Sequence, residues 1–448
     1  MKRKLKNTDM LTGSLYKSIL LFTVPIALSS ILQQLFNAAD TAIVGYFDTA
    51  DSLAAVGTNG EIIALIVSLS SGLSVGVNVL VAKQIGEKRN VDINSIVITV
   101  FVMATIIGGA GLFIGNFCAE FLLYLIKTPE NIMDASVLYL KIYFMGYPFL
   151  MIFDFGSAIL RAQGNSRCPF IVLTLSGVLN VFLNAVFVVI FNMGVVGVAI
   201  ATMLSNILSA CLVFFRIKKD CHGLFKSRFD FKLIVPILKI GVPSAVQGAV
   251  FCFANIFVQA SVNSFGSVAI AGSTIAMNFE YFAYYVITAF GQSATTFVCQ
   301  NYAANQYERC KKILWICVTF SFLISLLIIV PLVVFHSFFV GIFSSDNGVM
   351  QQAFLRIVCI LLFEPLCCFY EIPAGVFRGM GYSLYPAAAT ITGTCLLRII
   401  WIFTVFKNFH ELKILYSVFP ISWVVTVLIM FAAFVFIKPL KPYLTFRK

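Results

Sequence analysis

Long apolar stretches separated by short polar loops dominate this chain. A membrane-spanning helix needs about 20 mostly apolar residues, and stretches such as 93–117 and 416–437 contain no charged residue. The apolar runs are continuous and do not alternate with polar residues, which excludes a membrane β-barrel. We place twelve predicted spans at residues 15–37, 54–82, 93–117, 133–156, 168–191, 195–217, 233–262, 271–299, 313–335, 351–376, 386–406 and 414–437.

Composition and charge support a membrane protein. Hydrophobic residues make up 60% of the chain and charged residues only 11%, whereas a soluble domain has about a quarter charged residues. The net charge is +12, but most of the 31 Lys and Arg residues fall on one side of the predicted spans. By the positive-inside rule, both termini are expected in the cytoplasm. We expect the protein itself in the cell (inner) membrane. The basic charge therefore indicates contact with the lipid bilayer and not with nucleic acid.

An internal duplication organises the spans. Residues in the first and fourth spans recur 217 or 218 positions later, as the pairs Pro25/Pro243, Asn37/Asn255, Pro148/Pro365, Arg161/Arg378, Gly164/Gly381, Ser166/Ser383 and Pro169/Pro386. Six spans in each half give both halves the same orientation, as in parallel-repeat transporters. We therefore predict an all-α membrane protein with 12 transmembrane helices in two six-helix lobes, related by a pseudo-twofold axis along the membrane normal.

The longest basic and polar interruption, within 216–232, separates the two halves. The predicted organisation is a cytoplasmic N-tail at 1–17, an N-lobe at 18–217, a cytoplasmic linker at 218–232, a C-lobe at 233–437 and a cytoplasmic C-tail at 438–448. Two lobes with a pathway between them suit alternating access, so the duplication favours a carrier.

The first span carries a carboxylate, Asp40, preceded by Gln33, Gln34 and Asn37. Gln33, Asn37 and Asp40 are spaced i, i+4, i+7 and share one helix face. An ionisable residue at membrane depth is a functional-site hypothesis by default. Because burial disfavours the charged form, Asp40 alone could bind and release a proton. The alternative is that Asp40 lies idle and solvated at the outer interface.

Several motifs together resemble the bacterial multidrug and toxic compound extrusion (MATE) transporters. They are D-T-A-I-V-G at 40–45, N-V-F-L-N at 180–184, G-V-A-I-A-T at 197–202, G-Q-S-A-T-T-F-V-C-Q-N at 291–301 and the paired R-x-x-G loops after the fourth and tenth spans. The resemblance covers about residues 15–440. It implies multidrug efflux, in which organic, cationic and amphipathic compounds are exported by antiport in exchange for H⁺ or Na⁺.

The resemblance also implies a cation site in the N-lobe. The matching positions are Asp40, Asn180, Asn184 and Thr202, and the departure is Asn184, where the family pattern usually has aspartate. Carboxylate, carboxamide and hydroxyl oxygens suit a hard cation such as Na⁺. Asn180 and Asn184 could equally form an interhelical hydrogen-bonded link.

Other polar residues are assigned to the substrate pathway or to coupling. The predicted pathway residues are Gln34, Asn37, Asn255 and Glu280. Glu280 lies among aromatic residues, which suits a lipophilic cation through charge and cation–π attraction, although an ordinary packing face with one hydrogen-bonded Glu is the alternative. Asp154 and Glu371 either brace the lobes or relay protons. The roles of Glu364 and Arg398 stay open.

Two other functions were weighed. A flippase for a lipid-linked envelope precursor would need several mid-membrane arginines to hold a pyrophosphate, and Arg398 in the eleventh span is the exception among mostly inner-loop basic residues. A membrane enzyme would need a catalytic motif, and none is found, so the chain is predicted not to be an enzyme. We expect small-molecule substrates, a monomer, and no cofactor beyond the coupling ion.

Overall fold

The computed structural model describes residues 8–87, 93–126, 128–221 and 227–437. Within these ranges the chain is almost entirely helical and contains no β-strand. The long helices are α1 (Leu15–Phe47), α2 (Ala50–Gly86), α3 (Ile93–Leu125), α4 (Glu130–Ala162), α5 (Arg167–Ile190), α6 (Gly194–Asp220), α7 (Ile234–Asn263), α8 (Ser267–Ala303), α9 (Tyr307–Val334), α10 (Asn347–Gly379), α11 (Leu384–Phe406) and α12 (Leu412–Ile437). A short helix, His336–Gly341, lies between α9 and α10.

Each predicted span falls on one of these helices. Eleven helices of the described residues are long and apolar enough to cross a membrane. The twelfth, α8, has 37 residues but is less apolar, because Asn278, Glu280 and several tyrosines interrupt it. Large apolar side chains point outward over the helices, with Phe117 85% and Phe436 84% exposed. Such a surface is stable only against lipid or a partner, since soluble proteins rarely expose large apolar patches.

Three helices contain irregular turns that the sequence did not predict. The last turns of α5, Ala185–Ile190, are π-helical. Two further π-helical segments, Ile391–Leu396 and Ile402–Phe406, lie in α11 on either side of Leu397–Trp401. The middle of α10, Leu361–Cys367, winds as a 3₁₀ helix around Pro365, because proline removes a backbone donor from the α-helical ladder.

Contacts between Cα atoms divide the chain into two compact units. The first contains Met1–Thr8, Val24–Val81 and Arg89–Gly241, and the second contains Asp9–Thr23, Ala82–Lys88 and Val242–Lys448, as far as these residues are described. The division differs from the predicted lobes at 18–217 and 233–437. The start of α1 belongs to the second unit, and the start of α7 belongs to the first.

The end of α2, from Ala82, also belongs to the second unit, but only the divisions in α1 and α7 lie beside repeat-related prolines. The division falls between Thr23 and Val24 in α1 and between Gly241 and Val242 in α7, so each break lies next to Pro25 or Pro243. A proline inside a helix removes one hydrogen bond and loosens the ladder. The two parts of each helix can therefore pack with different partners, and the linker region is not where the contacts separate.

The predicted tails and linker lie partly outside the described residues. The predicted N-tail, 1–17, overlaps α1 from Leu15 onward. The described residues just before α1 are hydrogen-bonded to α8 and α9. The Met10 carbonyl oxygen accepts hydrogen bonds from Asn301 Nδ2 at 2.9 Å and Arg309 Nη2 at 3.3 Å. Of the linker, 222–226 are not described, and the predicted C-tail, 438–448, lies wholly outside the description.

Close helix contacts depend on small residues within each unit. In the first unit α4 packs along α3 and α6, and in the second unit α8 packs along α9 and α10. A Cβ atom at Gly375 of α10 would lie 2.3 Å from the carbonyl oxygen of Gly291 in α8. Small residues let helix backbones approach in this way in membrane bundles.

The predicted fold class, an all-α membrane protein, is confirmed.

Candidate functional site

The four predicted cation-site residues are joined by hydrogen bonds in the first unit. Asn184 Nδ2 donates to Asp40 Oδ1 at 2.5 Å and also to Asn180 Oδ1 at 3.4 Å. Asn180 Nδ2 in turn donates to Thr202 Oγ1 at 3.3 Å. These contacts connect α1, α5 and α6 through one polar chain.

Burial separates this polar chain from bulk water. Asn180 is 4% exposed and Asn184 is fully buried, while Asp40 is half-buried. The Oδ1 atom of Asn184 is buried and has no hydrogen-bond partner among the described residues. An unpaired buried acceptor is costly, so a cation or a proton donor at this position would be stabilised. The site therefore offers the Asp40 carboxylate and three neutral side-chain oxygens, those of Asn180, Asn184 and Thr202.

The helix that carries both asparagines changes its geometry next to them. The π-helical segment Ala185–Ile190 begins directly after Asn184. π-helical turns inside α-helices are rare and occur often at functional sites. The i, i+4 spacing of the two asparagines explains their shared face, but the sequence carried no signal for the π-helical turn.

The residues of the polar stripe predicted on α1 differ in their exposure to solvent. Gln34 is half-buried, whereas Gln33 and Asn37 are exposed. The Asn37 carbonyl oxygen accepts a hydrogen bond from Thr41 Oγ1 at 3.1 Å. The predicted pathway residue Asn37 is therefore held by its backbone within α1 and presents its side chain at an exposed position.

Buried tyrosines on α4 extend the polar surroundings of Asp40. Tyr139, Tyr143 and Tyr147 are spaced i, i+4, i+8 and are almost completely buried. Asp40 lies within electrostatic range of Tyr139 and Tyr143. Sequence reasoning missed these tyrosines, although their spacing places them on one helix face.

Asp154 lies on the same helix, about two turns after Tyr147 in the direction of Arg161. Its Oδ2 atom accepts a hydrogen bond from Ser70 Oγ at 2.6 Å. Arg161 is the nearest charged group that influences this carboxylate. The predicted coupling residue is thus held between α2 and α4 inside the first unit.

Glu371, which lies 217 residues after Asp154 in the repeat, is the corresponding acid of the second unit. Glu371 Oε1 accepts a hydrogen bond from Arg378 Nη1 at 3.5 Å, and Arg378 Nη2 donates to Gln247 Oε1 at 3.2 Å. Gln247 Nε2 donates to Thr390 Oγ1 at 3.1 Å. These hydrogen bonds tie α10 to α7 and α11 within the second unit. The two alternatives for Glu371, bracing the lobes or relaying protons, both stay predictions.

Glu280 of α8 has a partner that sequence reasoning missed. Arg356 of α10 donates to both of its carboxylate oxygens, from Nε at 2.7 Å and from Nη2 at 2.8 Å. Arg356 is 4% exposed, donates to Ser273 Oγ at 2.8 Å, and lies over the Tyr416 ring at 5.3 Å. The sequence predicts a carboxylate among aromatic residues that attracts a lipophilic cation, with one hydrogen-bonded Glu on an ordinary packing face as the alternative, and nothing along the chain indicates Arg356 as its partner.

This pairing changes what Glu280 offers to a ligand. A bidentate Arg–carboxylate pair is strong and satisfies both carboxylate oxygens. Its negative charge is therefore balanced in this structure. Attraction of a cation by Glu280 would first require Arg356 to move away.

The remaining predicted pathway residue, Asn255 of α7, contacts a second buried arginine. Arg398 Nη1 donates to Asn255 Oδ1 at 3.2 Å, and Arg398 Nε donates to Ser422 Oγ at 3.3 Å. Arg398 is 1% exposed. Glu364 is also buried, and its Oε2 atom has no partner among the described residues.

The duplicated helices and the two buried polar sites define a membrane carrier of two homologous halves. The family model MatE matches residues 25–186 and 243–404. The two matches begin and end 218 residues apart, which agrees with the repeat predicted from the prolines and asparagines. The chain belongs to the MatE family, so the predicted resemblance is confirmed.

Curated relatives and solved structures agree with this family. The chain is 25% identical over 437 residues to "Probable multidrug resistance protein YoeA" of Bacillus subtilis, covering 95% of this chain and 94% of the relative. It is 27% identical over 427 residues to "Probable multidrug resistance protein NorM" of Thermotoga maritima, covering 88% and 86%. A MOP superfamily transporter from Pyrococcus furiosus has the same fold, with a TM-score of 0.90 at 19% identity over 98% of this chain and 100% of that chain.

Proposed function

We propose that this protein is a secondary antiporter that exports organic, cationic and amphipathic compounds in exchange for H⁺ or Na⁺. The observation that carries the proposal is the buried chain Asp40–Asn184–Asn180–Thr202 in the first unit. The relatives named above as multidrug resistance proteins support the substrate class. We further propose a monomer in the cell membrane with both termini in the cytoplasm, as the positive-inside rule predicts.

Asp40 is the group that would sense the ion. In the arrangement described, Asn184 Nδ2 donates to Asp40, so the ionised carboxylate is satisfied without a metal. If Asp40 gains a proton, the unpaired Asn184 Oδ1 can accept from it after rotation of the amide. If Na⁺ binds, oxygens of Asp40, Asn180, Asn184 and Thr202 are available as ligands. Either ion would replace the present hydrogen bond.

Ion binding can act on α1 because Asp40 and Pro25 are on the same helix. The part of α1 before Val24 packs in the second unit, where Thr23 Oγ1 donates to Ser293 Oγ at 2.8 Å. The part that carries Asp40 packs in the first unit. An ion that binds one arrangement of α1 better than another shifts the balance between them by that difference in affinity.

The test is transport of a fluorescent lipophilic cation in proteoliposomes, with H⁺ and Na⁺ gradients imposed separately. We expect one gradient to drive accumulation, and Asp40→Asn to reduce it by roughly 100-fold or more, because the substituted side chain neither titrates nor carries charge. Glu120→Gln removes an exposed carboxylate of α3 and serves as the matched control. The proposal is wrong if transport does not depend on either gradient, or if Asp40→Asn transports as well as the wild type.

A further inference from the structure

The second unit contains a buried positive charge without an acidic partner. The guanidinium of Arg398 in α11 donates to two neutral oxygens, on Ser422 and Asn255. No carboxylate of the described residues lies within ion-pairing distance of it, whereas Arg356 and Arg378 each have one. Nη2 of Arg398 donates to no described residue, although this atom is not fully enclosed.

The surroundings of Arg398 do not neutralise it. The ionisable side chains that influence it most are Tyr370, Cys395, Cys367 and Tyr284, which are uncharged near neutral pH. Its guanidinium carbon lies 4.1 Å from the centre of the Phe419 ring and 5.6 Å from that of Phe251. Cation–π contacts stabilise a guanidinium, but they do not supply a negative charge. Arginine stays protonated in proteins, so the charge persists.

The position of Arg398 in the repeat shows what it replaces. In the first unit, α5 is hydrogen-bonded to α1 and α6 through Asn184 and Asn180. In the second unit Arg398 of α11 is hydrogen-bonded to the counterparts of those helices, α7 and α12. At the 218-residue spacing of the family matches, Arg398 stands at the position of Asn180, and Val258 stands at that of Asp40.

We propose that Arg398 forms an anion-accepting subsite in the second unit, the counterpart of the cation site in the first. The subsite takes a carboxylate, sulfonate or phosphate group of a transported compound, or a free inorganic anion such as chloride. Asn255 and Ser422 orient the guanidinium, and Nη2 is the free donor. Arg398 lies on the single α-helical turn Leu397–Trp401 between two π-helical segments, a geometry that is enriched at functional sites.

This inference rests on the proposed transport function and extends its substrate class to amphipathic compounds that also carry an anionic group. The other buried arginines do not provide the subsite, because Glu280 accepts two hydrogen bonds from Arg356 and Glu371 accepts one from Arg378. Glu364 does not compensate Arg398 either, since the charged groups that influence it are Glu280 and Arg356.

The experiment compares two compounds that differ only in the anionic group, the zwitterion ciprofloxacin and its methyl ester. Uptake into proteoliposomes of full-length protein is measured for the wild type, Arg398→Met and Arg398→Lys. Methionine keeps a long side chain against Phe419 without charge, and lysine keeps the charge. We expect Arg398→Met to raise KM for ciprofloxacin roughly 10- to 100-fold, as expected for loss of a charge-assisted hydrogen bond, and to leave KM for the ester within about twofold. Arg398→Lys should recover part of the loss.

A second arm separates the two sources of the anion. Replacing chloride by uncharged mannitol should slow wild-type transport of both compounds if free chloride occupies the subsite, and should leave Arg398→Met unaffected. If a carboxylate of the substrate occupies it, the replacement changes nothing and only the zwitterion depends on Arg398. Equal losses for zwitterion and ester in chloride and in mannitol buffer, or no effect of Arg398→Met, would show a structural arginine and overturn the inference.

The same measurements distinguish this inference from the proposed function. If the wild type transports neither compound under any ion gradient, the antiport proposal is wrong. If the wild type transports both and Arg398→Met does not discriminate between them, antiport stands and the anion subsite fails.

Discussion

Asn184 determines how Asp40 is held. Its amide group donates to the carboxylate, and its own oxygen is left buried and unpaired. An aspartate at this position would place two carboxylates within hydrogen-bond distance, where like charges disfavour double ionisation unless a cation lies between them. The residue at 184 therefore governs how strongly the site depends on a metal ion.

Asn184→Asp should make transport more dependent on Na⁺. We expect the Na⁺ concentration for half-maximal stimulation to fall about tenfold, because a second negative charge strengthens cation binding. The measurement is initial uptake rate against Na⁺ concentration at fixed pH. Asn116→Asp adds the same charge to a half-buried position of α3 and is the control. An unchanged Na⁺ dependence with intact transport would show that residue 184 does not contact the ion.

The buried ion pair between Glu280 and Arg356 is a second place where a single side chain affects the stability of the protein. Both groups are largely buried, with side-chain exposures of 12% and 4%. Removing one member of a buried pair leaves the other charge uncompensated and costs about 3–5 kcal/mol, whereas replacing both can be neutral. We therefore expect the loss of either member to destabilise the fold and the loss of both to cost much less.

Glu280→Gln should lower the thermal stability of the purified protein in detergent, with a loss of about 3–5 kcal/mol. Arg356→Met should do the same, and the double variant Glu280→Gln/Arg356→Met should recover most of the loss. The check is a double-mutant cycle of unfolding midpoints. Simple additivity of the two single effects would mean that the pair is not coupled.

At the level of elements, α1 and α7 are divided at equivalent prolines. In α1 the chain passes from the second unit to the first between Thr23 and Val24, next to Pro25. In α7 it passes from the first unit to the second between Gly241 and Val242, next to Pro243. Ser29 Oγ donates to the Pro25 carbonyl oxygen at 2.7 Å, and a serine bonded in this way to the carbonyl four residues before it often bends a helix. Both helices are built to bend at these points, since proline breaks the i to i−4 pattern.

Pro25→Ala should slow transport roughly tenfold without lowering stability, because alanine restores the backbone hydrogen bond and stiffens α1. Pro243→Ala should behave similarly. Pro420→Ala in α12 lies within one unit, away from the division, and is the control. The measurements are turnover in proteoliposomes and the thermal midpoint. Wild-type turnover in both hinge variants would show that the helices need not bend there.

For the whole molecule, orientation in the membrane follows from the distribution of charge. Lys and Arg residues concentrate at one set of loops and helix ends. Lys312, at the start of α9, is expected on the cytoplasmic side, and Asn408, between α11 and α12, on the outer side. Both are exposed, so both can be reached by a reagent on the correct side of the membrane.

Single cysteines at these positions test the orientation. In a variant without its twelve native cysteines, Asn408→Cys should react in whole cells with a membrane-impermeant maleimide. Lys312→Cys should react only after the membrane is permeabilised. The reverse pattern would invert the predicted topology and place both termini outside.

The fold was predictable from sequence because lipid imposes strong rules. Each spanning segment must satisfy its own backbone hydrogen bonds, so twelve apolar stretches could be located and each falls on a helix. The four cation-site residues came from motifs, and the structure joins them. The division of contacts at Pro25 and Pro243 was not anticipated, since it depends on which unit each half-helix packs against.

The sequence by itself determined the helices, the duplication and the family, because hydrophobic length, repeated prolines and motif order are local properties of the chain. Only the tertiary structure decided which buried charges are paired. Glu280 pairs with Arg356, which is 76 residues away, while the partners of Arg398 among the described residues are neutral oxygens. Such pairings arise when distant helices pack, and no spacing along the chain encodes them.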